Sequence, residues 1–212
     1  MHPLHAVLIA AADGRFPPAD GGVDVHPPDG RGTVACVEFT GHAVVLTTCD
    51  AASLARRGAN GFGGATQPDL LRWLAGPTGQ IGSHDAVLVA RGSGVGSGGG
   101  TLEPRADLDD HPRVRRARHH RGDVGVYAND HGLVTMGTGL VGRREVSVEL
   151  FDAGRPPPGA GGVLIAEALG LVRKGELVWA QVAPGNAASL RAFLRQGFVP
   201  IGAEVLIEPS PG

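Results

Sequence analysis

Two glutamates four residues apart, Glu145 and Glu149, stand in the segment REVSVEL, which alternates strictly between apolar and polar residues. Val146, Val148 and Leu150 share one face of the strand this pattern predicts, and Glu145, Ser147 and Glu149 share the other. A carboxylate on the polar face of such a strand can act as a general base. The same pattern also suits a plain structural role, in which each glutamate faces solvent or pairs with Arg143, Arg144 or another nearby arginine. Shortly after, residues 155 to 162 read RPPPGAGG, a glycine-rich turn leading into an apolar run. A helix entered in this way offers free backbone N–H groups and a favourable dipole to an anion such as a pyrophosphate. Pro156, Pro157 and Pro158 have no N–H, so the donors left are those of Gly159, Ala160, Gly161, Gly162 and Val163. An ordinary glycine-capped loop would read the same way.

The element that follows is predicted from APGNAASLRAFLRQGF, residues 183 to 198. Asn186 is a good N-cap, Leu190, Phe193 and Leu194 recur at helical spacing as a buried stripe, and Gly197 ends the helix. Arg191 and Arg195 fall on its exposed side, where solvation is the default and phosphate contact the alternative. Upstream, Asp109 and Asp110 precede a basic helix running to about Arg121 with Pro112 in its first turn. Strands follow at Val124 to Ala128, Leu133 to Leu140 and Arg144 to Leu150. Then come a helix from Gly161 to about Leu171, a strand from Leu177 to Ala183, the Asn186 helix and a last strand from Val199 to Ile207.

The first part of the chain is expected to be β-rich, with runs at His5 to Ala11, Thr33 to Thr40 and His42 to Thr48. Asp50 caps a short helix through Arg57, Pro68 to Ala75 forms a second, and Asp85 to Arg91 forms a strand. Asp69 and Trp73 could line a pocket, although a core tryptophan is the simpler reading. The segment GSGVGSGGG, Gly92 to Gly100, contains the spacing Gly94-x-Gly96-x-x-Gly99, but no apolar helix follows it. It reads as a flexible linker or hairpin loop rather than a dinucleotide site. The domain organisation expected is therefore residues 1–100, of unassigned role, followed by a core over residues 101–212.

Asn186, Ser189, Phe193, Gly197 and Phe198 fall at the spacing of the last helix of the GNAT N-acetyltransferase superfamily, and the chain resembles that family from roughly Asp107 to Ile207. Where the family carries a tyrosine that often protonates the departing thiolate, this chain has Phe193. The resemblance implies an α/β (mixed α+β) fold with a mixed central sheet flanked by helices. It implies transfer of an acetyl group from acetyl-CoA to an amine of a small molecule or peptide. It places the pantetheine arm against the backbone of Glu149, Leu150 and Phe151, and the pyrophosphate at Gly159, Ala160, Gly161 and Gly162 with Arg155. Asn186 and Ser189 are further cofactor contacts, and Glu145 or Glu149 is the base, with Glu145 preferred because it lies farther from the acyl-CoA end and nearer the incoming amine. A protein that uses the fold to bind CoA or a partner without catalysis remains the alternative.

The 19 basic and 21 acidic residues leave a formal charge of −2, which gives no general electrostatic case for nucleic acid. The run RVRRARHHR, Arg113 to Arg121, lacks the interleaved aromatics of a nucleic-acid surface and reads as a solvated helix. If it borders the acceptor groove, Arg113, Arg116 or His120 would favour an anionic substrate. Cys36 and Cys49 are too few for a disulfide framework, and Asp109, Asp110 and His111 lack a distant partner motif for a metal. No apolar run approaches the roughly 20 residues of a membrane span, and no leader pattern opens the chain, so a cytoplasmic protein is expected. The oligomeric state and the acceptor stay open.

Overall fold

The computed structural model describes residues 1–94, 101–151 and 157–210. Its helices are α1 Pro3–Ala12, α2 Ala51–Ala55, α3 Pro68–Ala75, α4 Pro112–His120, α5 Ala160–Gly170 and α6 Ala187–Arg195. Its strands are β1 Val23–His26, β2 Val34–Phe39, β3 His42–Leu46, β4 Gln80–Arg91, β5 Glu103–Pro104, β6 Gly122–Asn129, β7 Gly132–Thr138, β8 Arg144–Leu150, β9 Leu177–Val182 and β10 Val199–Glu208. The chain divides into two compact units, Met1–Val87 with Pro200–Gly212, and Leu88–Val199. Both combine helices and strands. Among the described residues no helix is long and apolar enough to cross a membrane.

In the first unit the strand order is β1-β3-β2-β10, followed by the first part of β4. Strand β1 runs parallel to β3, and β2 lies antiparallel to both β3 and β10. Val34, Cys36, Ala43, Val45, Val205 and Ile207 meet Leu54 of α2 and Leu70, Leu71 and Leu74 of α3 in one core. Burial pushes the Cys36 thiol up to about 12, with the nearby Glu38 charge adding to the effect, so this cysteine is chemically quiet.

The run His5 to Ala11 is a helix and not the expected strand. Pro3 takes the first helical position, the His2 ring accepts the Leu4 N–H at 3.2 Å, and Leu4, Leu8 and Ala11 are buried at helical spacing. Alanines between them favour the helix over a sheet. Helix α3 spans the residues expected for it, and α2 is capped by Asp50, whose carboxylate accepts the Ser53 N–H at 2.8 Å.

In the second unit the last part of β4 is followed by β9-β8-β7-β6-β5. Strands β5 to β8 form an antiparallel meander, and β8 then runs parallel to β9. Helix α4 packs on β6 and β7, and α5 packs on β7, β8 and α6. Gly92, Ser93 and Gly94 are not free linker. Their N–H groups donate to the carbonyls of Glu176, Leu169 and Val172, which ties them into this unit. Gly96, Gly99 and the rest of the glycine-rich segment lie outside the described residues.

Candidate active site

The parallel ladder between β8 and β9 has a single registered pair, Glu145 with Trp179, whereas β8 is registered against β7 along its whole length. Phe151 continues that pairing by donating its N–H to the His131 carbonyl at 2.9 Å. In an antiparallel pair, residues that direct both backbone groups at the partner alternate with residues that direct them away. Glu149 and Ser147 therefore share the orientation of Phe151. Val148 and Leu150 turn their N–H and C=O groups to the β9 side, beyond the point where the ladder has ended. The backbone that faces this interval is thus Val148 and Leu150. Of the expected contacts Glu149, Leu150 and Phe151, only Leu150 offers a main-chain donor there.

The side chains of Glu145, Ser147 and Glu149 meet residues at the two ends of α4. Arg113 Nε donates to Glu149 Oε2 at 2.6 Å. His111, the N-cap of α4, accepts the Arg113 N–H on Nδ1 at 3.2 Å, so its proton sits on Nε2, 3.9 Å from Glu149 Oε1. Arg121, which caps the other end of α4, donates from Nε to Glu145 Oε2 at 2.7 Å, from NH1 to Ser147 Oγ at 2.9 Å and from NH2 to Gln181 Oε1 at 3.2 Å. The Ser147 hydroxyl also meets the buried Thr135 hydroxyl at 2.8 Å. The arginine helix is therefore only partly solvated: Arg115, Arg116 and Arg118 are exposed, while Arg113 and Arg121 turn inward to the sheet. Its cap is His111 rather than the neighbouring Asp110.

Glu145 is buried, and its carboxylate is enclosed by the loop between β7 and β8. Arg143 Nε donates to its Oε1 at 2.7 Å, the Leu140 N–H approaches the same oxygen at 3.3 Å, and a Cβ on Gly139 would collide with the carboxyl group. The loop also holds the buried Val141 at φ 51°, a left-handed conformation that a β-branched residue seldom adopts. Burial is the largest single influence on Glu145 and opposes ionisation, yet Arg143 and Arg121 together outweigh it and keep the carboxyl below its ordinary range. Glu149 is more open, with its side chain 36% exposed, and among the described residues only one of its oxygens meets a guanidinium.

Strand β8 leads toward α5. The N-cap of that helix is Gly159 at φ 89°, and no side chain caps it. The Ala160 N–H donates to the Pro157 carbonyl at 3.1 Å and the Val163 N–H closes the first helical bond to Gly159 at 3.1 Å. That leaves Gly161 and Gly162 as the first-turn donors with no protein acceptor among the described residues. Among the described residues a Cβ on Gly161 would touch only Leu150 Cδ1, at 3.9 Å, and neither backbone angle nor their packing requires glycine there. Arg155 lies outside the described residues.

In α6, Asn186 caps the helix as expected by accepting the Ser189 N–H at 3.1 Å, and Gly197 has φ 84° just past its end. The buried stripe is narrower than expected, because Leu194 is 46% exposed. Phe193 is buried and packs edge-on against Phe198, with ring centroids 4.9 Å apart. Sequence reasoning missed Arg121 and Gln181 as members of the site, because Arg121 is tied to β8, and Gln181 to Arg121, only through tertiary hydrogen bonds.

No protein-family model matches the chain, and no curated protein matches it in sequence. Among solved structures the chain is similar to a GCN5-related N-acetyltransferase from Kribbella flavida, with 17% identity and a TM-score of 0.39 over 63% of this chain and 61% of that one. It is also similar to a protein of Novosphingobium aromaticivorans ascribed to the GNAT family of acetyltransferases, with 16% identity and a TM-score of 0.46 over 64% and 69% of the two chains. A third is a functionally unknown conserved protein from Staphylococcus epidermidis, with 14% identity and a TM-score of 0.42 over 68% of each. The chain thus spans about three fifths of the length of the first of these. At these values the likeness adds no argument for activity, which has to come from the geometry of the second unit.

Proposed function

We propose that the second unit binds acetyl-CoA and transfers its acetyl group to an amine. The observation that carries this reading is the meeting of two features in one place. The β8/β9 ladder stops after one registered pair, and Leu150, at the far end of β8, lies beside the uncapped first turn of α5, its Cδ1 3.9 Å from where a Cβ on Gly161 would stand. A ligand with a chain of amide groups and a terminal pyrophosphate matches both. Its amides would pair with the backbone of Val148 and Leu150, and its phosphates would take the N–H groups of Gly161 and Gly162 at the positive end of the helix dipole.

Acetyl-CoA supplies an activated thioester; the chain supplies position and a proton acceptor. In direct transfer the amine nitrogen forms a bond to the thioester carbon, the carbon–sulfur bond breaks, and the proton lost by the amine goes to a carboxylate. Between the two glutamates we assign this role to Glu149. Among the described residues its Oε1 faces no guanidinium, whereas both oxygens of Glu145 are bonded to arginines. Water protonates the thiolate, since Phe193 has no exchangeable proton. The burial of Phe193 also favours a second reading, in which the unit holds acyl-CoA without turning it over. Titration of the purified protein with acetyl-CoA, followed by measurement of thiol release with a panel of amines, separates the two. Binding with release supports transfer, binding without release supports the second reading, and no binding removes both.

A further inference from the structure

Ser147 and Gln181 each lie two residues beyond the one registered pair, Glu145 and Trp179, and would form the next same-face pair of a continuous ladder. Their strands are joined there through a side chain instead. The Arg121 guanidinium reaches Ser147 Oγ with NH1 and Gln181 Oε1 with NH2, while its Nε is anchored on Glu145. Its side chain is only 10% exposed.

This contact fixes the orientation of the Gln181 amide. A guanidinium only donates hydrogen bonds, so the group that meets it must be the amide oxygen, and Nε2 must point the other way. That Nε2 is buried and has no hydrogen-bond partner among the described residues. Burying a donor without an acceptor is costly, and such an atom at a polar site calls for an acceptor supplied from elsewhere.

We infer that Gln181 contacts the substrate, donating from Nε2 to a carbonyl oxygen of the acyl-CoA arm where it lies beside β9, and that Arg121 is the positioning residue that aims it. The inference rests on the acyl-CoA reading for its ligand and adds to it a polar contact from β9. It also gives Glu145 a defined role, as the buried anchor that holds Arg121 in place.

Gln181→Glu is the informative variant. It has the same shape and keeps an oxygen for Arg121, but it replaces the only donor with an acceptor that repels a carbonyl. The expected result is an unfolding midpoint equal to or above that of the wild type, with acetyl-CoA affinity reduced about tenfold or more, and the same direction of change for Gln181→Leu. Arg121→Lys should weaken binding as well, and combining it with Gln181→Leu should add little, because the two residues act as one unit. Free CoA, which lacks the thioester carbonyl, locates the contact. An equal loss for CoA and acetyl-CoA places it at a pantetheine amide, and a loss confined to acetyl-CoA places it at the thioester. If the wild type binds acetyl-CoA and folded Gln181→Glu and Gln181→Leu proteins bind it equally well, the inference is overturned while the acyl-CoA reading stands. If the wild type binds neither ligand, both fall.

Discussion

The Glu145 carboxylate and the Arg121 guanidinium meet at 2.7 Å with side chains 6% and 10% exposed, and Arg143, with none of its side chain exposed, takes the carboxylate's other oxygen. An ion pair this deep is expensive to assemble, and more so to leave half-made.

Glu145→Gln should therefore lower the unfolding free energy by roughly 3 to 5 kcal/mol, the typical cost of removing one partner from a buried pair. The pH dependence follows from the depressed acidity of this group in the folded state. Its contribution is fully present above the pKa it has in the unfolded chain, and it is lost as pH falls through its lower folded value. Urea titrations from neutral pH downward should show the wild type losing stability on acidification, with a shallower loss for Glu145→Gln.

Glu149→Gln should leave acetyl-CoA affinity within about twofold and reduce turnover by roughly 10²- to 10⁴-fold, the usual range for a missing general base. Single-turnover rates alongside equilibrium binding would check it. Full turnover in this variant would mean that the amine arrives already deprotonated.

Gly161→Asp should raise stability and lower binding together. A carboxylate in the first turn of α5 suits the helix dipole by about 0.3 to 1 kcal/mol, and among the described residues only Leu150 Cδ1 stands near the new Cβ. The same charge opposes a pyrophosphate, so affinity for acetyl-CoA should fall at least tenfold, or about 1.4 kcal/mol. Thermal melts and calorimetric titration of one preparation give both signs.

Phe193→Ala should cost about 3 to 5 kcal/mol as a large-to-small change in the core. Phe193→Tyr should be destabilised by about 1 to 3 kcal/mol, because its hydroxyl would be placed in a site that now holds an edge-on aromatic pair. It should turn over no faster than the wild type. A faster Phe193→Tyr protein would show that the ring edge reaches the sulfur.

Local chemistry made part of this fold legible. Helix α3 and strand β8 have the expected bounds because a first-turn proline and a strict period of two act within a few residues. The same holds for the caps Asp50 and Asn186. The run His5 to Ala11 misled because it has no polar alternation to separate strand from helix, and the deciding groups, His2 and Pro3, lie just before it. In the site, the alternation of β8 put Glu145 and Glu149 on one face but carried no sign of their different surroundings. Glu145 is paired with Arg121, 24 residues earlier, and Gln181 is 60 residues from the arginine that orients it. Pairings at such separations leave no periodic trace.

The interrupted ladder beside β8 has a consequence for how the chain can diverge. Val148 and Leu150 would offer the same main-chain donors and acceptors if they were replaced by almost any other residue, and only proline would remove a donor. Substitution there could alter the side chains almost freely while the peptide groups stayed in register with β7. A ligand seated as proposed would then be held through atoms common to all residues, and alignments of side-chain identity would pass over its site.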